Sequence, residues 1–194
     1  MSMSGSSVLR VNRQQDGTLV TFKSAGTNEG SIVVSGSTVS YNGGHLARWS
    51  QLADSTKDES IVKGTVLTNL DQMAVWHHEA VEAQDAVYDE EGNVVTEAIE
   101  AKEAYTEDNE QLNCMAVSSV EGDPNVAGVF VNWDNDDDGF NDMNIAMTGD
   151  MVIRIAQGTT VARGDLLMSA GDGTAKPQGD DIVRSKTIAK VTST

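Results

Sequence analysis

Apolar residues in this chain come in short bursts, each closed by glycine or by a small polar residue. Residues 149 to 175 show this most clearly: Met151-Val152-Ile153-Arg154-Ile155 and Leu166-Leu167-Met168 lie between the pairs Gly149-Asp150, Gly164-Asp165 and Gly171-Asp172. Such runs are too short for a stable helix but suit strands, reversed at glycines that accept positive φ. The C-terminal half is therefore expected to be all-β.

The N-terminal end reads the same way. Val8-Leu9-Arg10-Val11, Thr18-Leu19-Val20-Thr21-Phe22, Ser31-Ile32-Val33-Val34 and Thr38-Val39-Ser40-Tyr41 have strand length, with breaks at Asp16-Gly17, Glu29-Gly30 and Ser35-Gly36. A unit of this size, residues 8–42, cannot close a sizeable core alone and needs neighbours. Residues 1–7, Met-Ser-Met-Ser-Gly-Ser-Ser, form a leader without the basic or apolar regions of a signal peptide.

Residues 43–52 suit either a short helix or a strand bearing Leu46, Trp49 and Leu52, and Val62 to Leu70 reads as a strand opened by Gly64. Between residues 79 and 110 two Ala/Glu-rich arms mirror each other about Asp89-Glu90-Glu91-Gly92-Asn93. The β-branched Val94-Val95-Thr96 and the Gly-Asn reversal favour a long acidic hairpin, while the Ala and Glu content keeps helices as the rival reading. Either form is an acidic protrusion, for which a solvated insertion is the plain interpretation.

Composition narrows the picture. The 194 residues are 39% hydrophobic but only 5% aromatic, which makes a thin core for the length and points to apolar surface covered by another chain. A formal net charge of -17 argues against nucleic acid and against anionic membrane surfaces. No apolar run approaches the roughly 18 residues of a membrane span. Cys114 is the single cysteine, so no intrachain disulfide can form, and its place in Leu112, Cys114, Ala116 assigns it to the apolar face of a strand as a core thiol.

Two segments carry a family likeness. Arg13-Gln14-Gln15-Asp16-Gly17-Thr18-Leu19-Val20-Thr21-Phe22 followed by Gly30 to Asn42 resembles the module near the C-terminal end of many bacteriophage tail fibres and tailspikes. Ile145-Ala146-Met147-Thr148-Gly149-Asp150 and Arg163-Gly164-Asp165-Leu166-Leu167 resemble the terminal strands of the autoproteolytic intramolecular-chaperone domain of phage neck appendages and tail fibres. The resemblance implies a small β stalk unit (8–42) and a β-barrel or sandwich-like chaperone domain (43–194, with 79–110 as an acidic insertion), assembled as a homotrimer in a virion and continuing an upstream fibre shaft. Cleaving relatives have a more acidic and aromatic entry motif than His45, Arg48 and Trp49 provide, so self-cleavage is at most a single-turnover event here. Similar proteins continue with another strand after a segment like Ile188-Ala189-Lys190-Val191, so an end at Thr194 reads as a truncation.

The candidate chemistry is sparse. Asp134-Asn135-Asp136-Asp137-Asp138-Gly139 matches the first half of a calcium loop, making Asp134, Asp136 and Asp138 candidate Ca2+ ligands, but Ile145 stands where the closing Glu belongs. Its flanks read as the strands of a hairpin whose tip is this loop. His77 and His78 point to opposite faces of a strand and cannot chelate one ion within a chain, though one of them could meet its symmetry copies on a threefold axis. His45, Ser50 and Asp54 are the candidate catalytic residues, without a nucleophile elbow around Ser50. Gly171-Asp172-Gly173 lacks the Lys-Ser or Lys-Thr of a phosphate loop. The expectation is an architectural protein without a cofactor, with a receptor-binding tip or capsid-decoration module as the alternative and a host surface receptor as the partner that this alternative implies.

Overall fold

The computed structural model describes residues 9–43, 45–89, 91–134 and 139–194, and every regular element among them is a strand. The all-β expectation holds. The chain forms two compact units, residues 1–46 with 148–150, and residues 47–147 with 151–194.

In the first unit β1 (Gly17–Ser24), β2 (Thr27–Ser35) and β3 (Thr38–Asn42) form an antiparallel meander. The β1–β2 reversal falls at Ala25-Gly26, with φ of 45° and 85°, and not at the expected Glu29-Gly30. Gly30 lies inside β2 because a Cβ there would sit 2.7 Å from the Asn42 carbonyl oxygen on β3. Glycine here serves close strand approach, not a turn. The expected strand at Val8–Val11 is absent from its described residues, which find no ladder partner.

Lying for most of their length in the second unit, β4 (His45–Leu52), β5 (Val66–His78), β8 (Tyr105–Val117), β9 (Val126–Trp133) and β10 (Met143–Gly149) close into a barrel in the order β10-β4-β8-β5-β9. Residues 45–52 are thus a strand, and β4 runs parallel to β8 through Gln51 opposite Cys114 and Leu52 opposite Met115. β9 and β10 form the hairpin predicted around the Asp-rich segment, with Met143 opposite Trp133. Leu67, Met115, Phe130, Trp133, Met143 and Ile145 make the buried interior core.

A second sheet, β12 (Ala175–Pro177), β11 (Leu166–Ser169) and β13 (Ala189–Lys190), supplies another core in which Val66 joins Leu167, Ala175 and Val191. The Gly-Asp pairs at the end of β10 and on either side of β11 carry the predicted positive-φ glycines: φ is 115° at Gly149, 103° at Gly164 and 90° at Gly171. Met151–Ile155 is not a strand in this sheet. It runs as an extended tie, with Arg154 N donating to Gly64 O at 3.0 Å and Ile155 bridging Ala175.

β5 and β8 continue past the barrel as a hairpin arm. His78 pairs with Tyr105, bridges follow at Val81 with Lys102 and Gln84 with Ile99, and β6 (Val87–Tyr88) pairs with β7 (Val94–Thr96) at the tip. The hairpin reading of 79–110 therefore prevails over the helical one. Asp89 closes the tip by accepting from the amides of Glu91 (3.0 Å) and Asn93 (2.7 Å).

Candidate functional site

The two long strands do not pair evenly. Between the pairs Asn69–Met115 and Ala74–Asn109 the β5–β8 register shifts twice, so the strands bulge where the barrel passes into the arm. Bulges of this kind re-aim side chains and interrupt a ladder. Here they border an open cleft of about 660 Å³ lined by Arg48, Trp49, Trp76, Glu107, Asp108, Asn109, Leu112 and Asp142.

Strand alternation decides who faces it. Trp76 stands opposite Glu107 and His78 opposite Tyr105, which puts Trp76, His78, Tyr105 and Glu107 on one face of the arm. The rings assemble there: His78 stacks on Tyr105 at 4.2 Å between centroids, Trp76 stacks on Phe140 at 5.0 Å, and Phe140 meets His78 edge-on at 5.2 Å. His78 Nε2 lies 3.2 Å from Glu107 Oε2. Trp49 is 48% exposed at the rim.

Arg48 is the cation of the cleft. Its Nη2 donates to the Oδ1 atoms of Asn69 (2.9 Å) and Asn113, and burial pushes the guanidinium down from its ordinary value. Among the described residues, Arg48 Nε and Trp76 Nε1 are buried donors without an acceptor. Asp142 is buried and accepts from Gln51 Nε2 at 2.6 Å, which anchors the cleft wall to β4.

The residues singled out in the sequence are dispersed. Ser50 is fully buried, and its hydroxyl donates to the Asn113 carbonyl at 2.7 Å. Asp54 is spent in its own turn, where the Thr56 hydroxyl and then the Thr56 amide hold its carboxyl below the ordinary value. The His45 side chain, Asp136 and Asp138 lie outside the described residues. Asp134 ends the β9 side of the hairpin, its amide donating to the Asp142 carbonyl at 2.8 Å. His77 is exposed and His78 half-buried, on opposite faces of β5 as strand geometry requires. Cys114 is buried as expected, and desolvation pushes its thiol above the ordinary range, away from nucleophilic use.

What the sequence reading missed is the grouping of Trp76, Glu107 and Arg48. The available signal was the mirrored pair Trp76-x-His78 and Tyr105-x-Glu107, which any antiparallel hairpin in this register must place on one face. Comparison with protein-family models, with curated proteins and with solved structures finds no match to this chain.

Proposed function

We propose that the chain is a structural virion component, the C-terminal trimerisation and folding region of a phage tail fibre or appendage. The observation that supports this most is the β1-β2-β3 sheet: none of its residues is buried, and Phe22, Val39 and Tyr41 are 54%, 51% and 78% exposed. A three-stranded sheet is stable only when a hydrophobic face is packed against something. Two further copies of the same chain supply that cover in a symmetric assembly. Three strand-rich chains must also be brought into register before they wind together, and a terminal region that associates early lowers the loop-closure cost of the rest.

The test is native mass spectrometry of the full chain at micromolar concentration, which reads subunit number and any self-cleavage together. The expected species contains three chains of 20.6 kDa. A folded monomer that persists across dilution overturns the proposal.

A second reading, a receptor-binding tip or decoration module, is favoured by the aromatic cleft beside the hairpin arm. A folding clamp has no need of an exposed indole next to carboxylates at a strand bulge.

A further inference from the structure

We infer that the hairpin arm is a docking strip for a basic, extended polypeptide segment, added as a further strand with a cationic side chain at every third residue. The inference goes beyond the structural role proposed above and is independent of the number of chains in the assembly.

The arm is written in triplets. His78-Glu79-Ala80, Val81-Glu82-Ala83 and Gln84-Asp85-Ala86 run outward, and Thr96-Glu97-Ala98, Ile99-Glu100-Ala101 and Lys102-Glu103-Ala104 return. Its ladder has the same period. Val81 exchanges both backbone bonds with Lys102 (2.9 Å each way) and Gln84 does so with Ile99 (2.9 and 2.8 Å), whereas the bonded pairs of a pleated antiparallel ladder recur at every second residue. The backbone thus turns once in three residues, as polyproline II does. The pairs His78–Tyr105 and Val87–Thr96 continue the register at either end, so the first member of each triplet is spent in the pairing.

That register fixes what points outward. Glu82 stands opposite Ala101 and Glu100 opposite Ala83, and the neighbouring triplets repeat the arrangement. No carboxylate of the triplets faces another across the ribbon, and each face carries an acidic row beside a row of alanines.

Charge alone selects no ligand; the backbone and the spacing do. Among the described residues, the N–H and C=O groups of Glu82, Ala83, Glu100 and Ala101 take part in no ladder, and every described residue from 79 to 105 other than Ala86 is exposed. A ribbon of two strands is marginal by itself, and open edges of this kind add an extended chain through main-chain bonds. Successive carboxylates of one row are about 9–10 Å apart along the backbone, the length of three extended residues. An added chain with Lys or Arg at every third residue repeats that distance, its aliphatic stems lying on the alanine row and its charged heads on the acidic one. A lone metal ion is served poorly, since among the described residues no three acid or histidine side chains converge on one point. A second copy of the arm brings charge of the same sign, because the triplets hold six carboxylates against Lys102.

The experiment titrates the full chain at low ionic strength with a peptide of repeated Thr-Lys-Ala triplets, long enough to span the arm. A peptide of the same composition with contiguous lysines is the control, and fluorescence anisotropy and amide exchange are the readouts. The triplet peptide is expected to saturate with an affinity about tenfold or more above that of the control, with new protection between Glu82 and Ala86 or between Glu97 and Ala101. Added salt should weaken it. Glu82→Gln with Glu100→Gln, one change in each row, should cost about threefold, as an exposed ion pair does. Replacing all six carboxylates by their amides should abolish binding, with circular dichroism showing the barrel retained. Equal affinity for the two peptides, or binding that survives loss of both rows, overturns the inference. So do silence from both peptides, protection conferred by Ca2+ alone, and protection already present in the free chain that fades on dilution, the last two giving the arm to an ion or to a second copy.

Discussion

Val66 and Leu67 are consecutive on β5 and both fully buried, yet they belong to different cores: Leu67 points into the barrel, and Val66 packs with Leu167, Ala175 and Val191 outside it. The alternation that leaves one face of most antiparallel strands in water is cancelled here, because the C-terminal sheet covers the second face.

Truncation on either face should therefore destabilise the protein. Leu67→Ala is expected to cost about 2–5 kcal/mol in urea unfolding, from lost transfer energy and a residual cavity. Val66→Ala should also cost more than about 1 kcal/mol. Wild-type stability for Val66→Ala would mean that the outer core contributes nothing.

Close backbone approach makes Gly128 irreplaceable. A Cβ at this position on β9 would lie 2.4 Å from the Ala146 carbonyl oxygen and 2.9 Å from Ile145 Cγ2. Gly128→Ala forces β9 and β10 apart, with an expected loss of about 1–3 kcal/mol on the scale of overpacked cores. An unchanged denaturation midpoint would contradict that spacing.

Acid should loosen the connection between β8 and β9. Asp123 is 5% exposed; burial alone would raise its pKa, but hydrogen bonds from the Asn125 amide, the Thr68 side chain and the Ser118 hydroxyl outweigh it and hold the carboxyl below its ordinary value. A depressed folded-state pKa contributes stability above the unfolded value, near pH 4, and loses it as pH falls through the folded one. Stability should thus decline below about pH 4, less steeply in Asp123→Asn. Parallel pH profiles of the two proteins would refute the assignment.

The hairpin arm contributes none of its described residues beyond His78 and before Tyr105 to either buried core. Replacing residues 80–103 with a two-residue Asn-Gly turn should leave the thermal transition of the barrel in place. In the intact chain, Asp89→Ala removes the acceptor that closes the tip and should speed amide exchange in the arm, with protection in β9 and β10 unchanged. Loss of the barrel transition on shortening would show the arm to be part of the folding unit.

Local signals were legible without coordinates. Gly-Asp pairs announced turns because positive φ is a property of the residue itself, and the Asp89 to Asn93 centre announced a hairpin for the same reason. Gly30 misled, since turn chemistry and tight strand packing both call for glycine and only the neighbour, Asn42, tells them apart. Cys114 was readable as a core thiol because strand alternation is itself local.

By itself the sequence determined that this chain is built from strands, where most of them reverse, and that its acidity is concentrated on a protruding arm, since each follows from residues adjacent in the chain. Only the tertiary structure decided that β4 joins β8 in parallel, that β5 is covered on both faces, and that Arg48, Trp76 and Glu107 border one cleft. Those facts depend on which strands pair and in what register, a choice made by burial across long stretches of chain and settled at two bulges.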